Sequence, residues 1–143
     1  MGRRTDRPSR PADRQIYRRR AVARSKAQRL VESLCKVCRA LPGTTEDVKW
    51  EHHLVFSVGG RMYAIFETSG ELPLSMKASP GAFEQLSAQE GVIPAPYLAR
   101  AQWIQVREAD ALPRQMLVEL IEESHALIAA KLSKRRREQL GIE

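Results

Sequence analysis

The chain has 143 residues, 43% of them hydrophobic and 29% charged, with a net charge of +7, which suits one globular domain with its own core. No run approaches the roughly 18 apolar residues of a membrane helix, and the N-terminus lacks the apolar stretch of a secretory signal. Two cysteines without that signal are expected to be free thiols in a reducing, cytoplasmic setting.

The charge is unevenly placed. Residues 1–29 carry eleven basic residues against Asp6 and Asp13, whereas residues 30–130 carry 8 basic and 13 acidic groups. The basic character therefore belongs to the two ends, and the body between them is mildly acidic. Residues 1–20, with only Met1, Ala12, Ile16 and Tyr17 as apolar groups, are expected to form a disordered basic arm. A single folded domain is expected over residues 21–133. A basic tail over residues 134–143 then holds Arg135, Arg136 and Arg137.

Along the chain, Ala27, Leu30, Val31, Leu34, Val37, Cys38 and Leu41 recur at helical spacing, predicting a helix from about Ser25 to Leu41 that Pro42-Gly43 ends. Cys35 and Cys38 fall in its third turn. A redox pair would sit at a helix N-terminus, and a zinc site would need further ligands, so both are read as small core residues. After a polar Thr44–Asp47 link, Val48-Lys49-Trp50 reads as a short strand. A hairpin follows about Gly59-Gly60. A two-residue turn sets Val58 opposite Arg61, Phe56 opposite Tyr63 and Leu54 opposite Ile65, with these side chains facing the helices.

Leu72, Leu74 and Met76 alternate inward along the next strand, leaving Ser75 and Lys77 outward. Ser79-Pro80 starts a short helix that stops at Gly91, and the proline-held stretch Val92–Ala101 reads as a connection. The strand Gln102–Arg107 points Ile104 and Val106 inward and Trp103, Gln105 and Arg107 outward. A last helix from near Pro113 buries Leu117, Leu120, Ile121, Ile128 and Leu132, with His125 at its boundary. The expected fold is α+β: an antiparallel sheet of about five strands packed on N- and C-terminal helices, with a short helix between strands.

No phosphate-binding glycine loop, nucleophile elbow or H-E-x-x-H motif occurs, so no enzyme, cofactor or metal is expected. The outward sheet face carries Lys77, Trp103 and Arg107, joined by Lys49 if the first strand pairs in register, with Tyr97 and Arg100 beside it. Cations mixed with aromatics suit nucleic acid. The same pattern equally fits Trp50 and Trp103 packed beneath the proline-rich loop.

Leu41-Pro42-Gly43, the Trp50 strand, Phe56-x-Val58-Gly59-Gly60-Arg61-Met62, Leu74-Ser75-Met76-Lys77 and Val92-Ile93-Pro94-Ala95-Pro96-Tyr97 before Trp103 stand in this order. Over about residues 22–133 the chain resembles the MmcQ/YjbR-like proteins. That resemblance implies a frataxin-like fold, a "double wing" of hairpins and DNA binding. Trp50, Arg61 (where Lys is usual), Lys77, Tyr97 and Trp103 match its signature positions, while Ala99-Arg100 replaces the usual Asn-Lys pair. An iron role is disfavoured, because the first helix sets Glu32 against Lys26, Arg29, Lys36 and Arg39.

The leading expectation is a small non-catalytic protein that binds duplex DNA and no membrane. Its contacts would come from Lys49, Arg61, Lys77, Tyr97, Arg100, Trp103, Arg107 and the basic tails, including Arg135, Arg136 and Arg137. The alternative is a module that binds a protein or small ligand and has no nucleic-acid role.

Overall fold

Ser25 opens the first helix of the structure, a computed structural model that describes residues 24–143; the basic arm expected over 1–20 lies outside the described residues. Its hydroxyl accepts from the Gln28 amide while the Gln28 side chain accepts from the Ser25 amide, a reciprocal cap that satisfies two orphan donors. Helix α1 (Lys26–Ala40) buries Val31, Leu34, Cys35 and Cys38 along one stripe. Both cysteines are free.

Strands β1 (Thr44–Lys49), β2 (His53–Val58) and β3 (Arg61–Glu67) form a meander, followed by β4 (Leu74–Lys77), helix α2 (Pro80–Ser87), β5 (Val92–Pro94) and β6 (Trp103–Val106). They make one antiparallel six-stranded sheet in the order β1-β2-β3-β4-β6-β5. The polar Thr44–Asp47 segment is therefore an edge strand, and Val92–Pro94 supplies a sixth strand at the other edge. Neither signals itself by apolar alternation, because an edge strand needs backbone partners on one side only. Helix α3 (Arg114–Ala129) buries Leu117, Leu120, Ile121 and Ile128 against the same sheet face as α1.

The β2–β3 register departs from regular alternation. Val58 pairs with Arg61 and Ser57 with Met62, as a two-residue turn requires, but Phe56 then pairs with Ala64, Val55 with Ile65 and Leu54 with Phe66. The extra residue is Tyr63. Its hydroxyl donates to the Cys38 carbonyl (3.1 Å) and lies 2.8 Å from Thr44 Oγ1, and its ring meets His125 edge-on. A bulge reverses the facing of everything beyond it. Phe66 and Ala64 join the helix-side core, and Ile65, expected on that side, moves to the opposite face.

Residues 134–143, expected as a tail, are structured. Ser133 caps helix α4 (Lys134–Gln139), its hydroxyl accepting from the Arg136 amide. Leu140 and Ile142 beyond it pack against the core beside Gly43. His125 is buried and lies 2.8 Å from the Pro42 carbonyl, tying α3 to the α1–β1 turn.

Candidate functional site

Most of the predicted cations gather at one end of the sheet. Arg61 follows the Gly59-Gly60 turn, and a Cβ on Gly59 would touch the Leu132 side chain at 2.6 Å, so this turn rests on the corner between α3 and α4. Lys77 ends β4 opposite Trp103, and its Nζ donates to the Ala101 carbonyl (2.5 Å), next to Arg100. Its backbone amide donates to the Ser124 hydroxyl (3.0 Å), which donates in turn to the Tyr63 carbonyl (2.7 Å). Burial lowers the Lys77 pKa, and the nearby Lys131 ammonium lowers it further. Arg135 and Arg136 are exposed on α4 at the same end, whereas Arg137 turns inward to donate to the Leu132 carbonyl (2.6 Å).

Ion pairs occupy Arg24, Lys26, Arg39 and Lys49; among the described residues Arg61, Arg100, Lys131 and Lys134 form none. In the sequence Lys131 belongs to the basic crowd at the C-terminal end with Lys134 and Arg135–Arg137 and has no signal that sets it apart as a contact.

Two predicted cations lie elsewhere. Lys49 ends β1 at the far end of the sheet, 3.9 Å from Asp47, and Arg107 follows β6 at that same far end. The expected exposure of Trp103 is corrected: the ring is only 4% exposed and forms a second, smaller core with Val55, Ile65 and Ala95. The 95–102 segment folds over this sheet face, its Leu98 packing on the cluster, so the indole has no open face for a polymer to reach.

A groove of about 550 Å³ lies beside that cluster. Met62, Ile65 and Leu98 supply its apolar lining, and Ser75 and Gln105 add a polar strip in which the Gln105 amide donates to Ser75 Oγ (3.4 Å). Trp50 and Tyr97 line it as exposed aromatics, Trp50 61% exposed and Tyr97 fully exposed. Both hold left-handed backbone, φ +51° at Trp50 and +67° at Tyr97, and Glu51 adds a third such residue at +69°. Non-glycine residues adopt this region at an energetic cost that concentrates where function requires it.

Trp50 meets His53 edge-on at 5.8 Å, and His53 Nε2 lies 3.1 Å from Glu67 Oε2 across the β2–β3 pair. Among the described residues, His53 Nδ1 is buried with no hydrogen-bond partner. The Tyr63 bulge is what turns Ile65 and Glu67 toward this groove. A regular hairpin would direct both to the helices. The sequence reads Trp50 as part of a strand and marks neither His53 nor Glu67, because no local pattern announces a bulge.

The architecture is that of an α+β protein with a cationic sheet end and a separate aromatic groove. No described helix is long and apolar enough to cross a membrane. The chain belongs to the YjbR family, whose model matches residues 39–127. It is similar to the crystal structure of Deinococcus radiodurans protein DR2400, of domain DUF419. That likeness has 30% identity over 85% of this chain and 94% of that one, with a TM-score of 0.73. A Pseudomonas syringae protein solved as structural genomics target PsR293 shares the fold at 21% identity, covering 68% of this chain and 97% of that one, with a TM-score of 0.55. No curated protein matches the sequence.

Proposed function

We propose that this protein is a non-catalytic DNA-binding protein that grips the phosphate backbone of a duplex with the cationic end of its sheet. The observation that carries this reading is the gathering of Arg61, Lys77, Arg100 and Lys131, from four separate segments of the chain, at one end of the sheet. Burial disfavours the charge of Lys77, and Lys131 lies close enough to disfavour it further. A phosphate set between them relieves that repulsion. Contacts of this kind fix position on the duplex and carry no base sequence. The basic arm over residues 1–20 adds affinity of the same non-specific sort, through its own arginines.

Duplex binding measured across salt tests the proposal, with the full chain and with a chain lacking residues 1–20. About six phosphate contacts give a log–log salt slope near −5. Charge reversal by Arg61→Glu and Lys131→Glu should lower the slope by about 1 each. Binding that vanishes with the arm and ignores both reversals would reduce the folded body to a carrier for the arm.

A further inference from the structure

We infer that the groove between Trp50 and Tyr97 binds a small organic ammonium compound with an apolar body, at a site separate from the cationic end. The volume, about 550 Å³, falls in the range of small-molecule sites, and the lining is mostly apolar. Glu67, beside His53, is the one carboxylate among its lining residues, and no lysine or arginine lines it. An anionic ligand would meet Glu67 unfavourably. A neutral one would displace water from Glu67 Oε1 without offering it a charged partner.

An ammonium group satisfies the carboxylate and also draws on the negative ring faces of Trp50 and Tyr97. Glu67 Oε2 faces His53, and among the described residues no hydrogen bond engages Oε1. The Trp50–His53–Glu67 contacts set the indole and the carboxylate together before any ligand arrives, which lowers the ordering penalty of binding. The strained backbone at Trp50, Glu51 and Tyr97 has no role in the helix-side core. It sets both rings at the groove, where Tyr97 is fully exposed.

The test uses the full chain labelled with nitrogen-15 and titrated with three probes of similar size: phenethylammonium, 3-phenylpropanoate and 3-phenylpropan-1-ol. The chain has two tryptophans. The Trp50 indole N–H signal should therefore shift saturably with phenethylammonium, while that of buried Trp103 moves less. The carboxylate and the alcohol should each bind about tenfold more weakly or worse. Glu67→Gln keeps the shape, removes the carboxylate, and should erase the preference for the cation. Tyr97→Ala removes a fully exposed ring, leaves the fold intact, and should weaken phenethylammonium about tenfold. Equal binding of the three probes, an unchanged preference in Glu67→Gln, or no saturable shift with phenethylammonium would each overturn the inference.

Discussion

Cys35 and Cys38 show how little a spacing motif says without its surroundings. Burial pushes the Cys35 thiol up to about 11 and that of Cys38 to about 12, the latter also raised by its neighbour Cys35. Thiolate is the reactive species, so both should resist alkylation in the native protein and react once it unfolds. The same shifts predict alkaline destabilisation. Each thiol holds its proton more tightly folded than unfolded, so this contribution is whole below about pH 9 and declines through the window up to about pH 12. Urea unfolding at about pH 8 and about pH 10 should show lower stability at the higher value, and Cys38→Ala should flatten that difference. A stability that stays level across this range would contradict the burial argument. Helical spacing placed Cys38 in the core stripe of α1, and it was the position of the pair in the third turn, away from the helix N-terminus, that made Cys35 a core residue as well. Spacing could not show that Trp103 is covered while Trp50 is open, because both are tryptophans beside β-rich runs.

At the scale of elements, the β2–β3 hairpin carries the most information. Gly59 has φ +59° and faces Leu132, whereas Gly60 has φ +83° and open space where a side chain would go. Gly59→Ala should therefore cost about 2 kcal/mol or more, from strain and overlap together. Gly60→Ala should cost about 1 kcal/mol, from strain alone. Chemical denaturation of the two variants separates them, and equal losses would show that the turn does not lean on the α3–α4 corner. The turn itself was legible in the sequence, since Gly-Gly between β-rich runs permits little else. The bulge was not. It follows from the partners Tyr63 finds on α1, β1 and α3, which are distant along the chain.

For the molecule as a whole, the consequential element is α4. Removing residues 133–143 would uncover the surface that Leu140 and Ile142 cover beside Gly43, and should lower stability by about 2 kcal/mol or more. Thermal melting of the shortened chain checks this, and an unchanged midpoint would mean that these contacts add nothing. It follows that shortening the chain at this end is a poor probe of DNA binding, because it alters the fold along with the charge. Charge reversal at exposed Arg61 and Lys131 is the cleaner route.

The sequence by itself determined the elements whose physics is local: the capped helix α1, the Gly-Gly turn, the inward alternation of β4 and β6, the proline start of α2 and the buried stripe of α3. It also determined that positive charge lies at the chain's ends, and its signature residues pointed to the family. Tertiary structure decided which face each residue joined and which distant residues became neighbours. A single extra residue in β3 moved Ile65 and Glu67 to the groove side, and the fold of the 95–102 segment buried Trp103. The chain after α3 returned to the sheet end, setting Leu132 against the Gly59 turn and Lys131 near Lys77. These outcomes depend on contacts between segments far apart in the chain, which no window of local sequence contains.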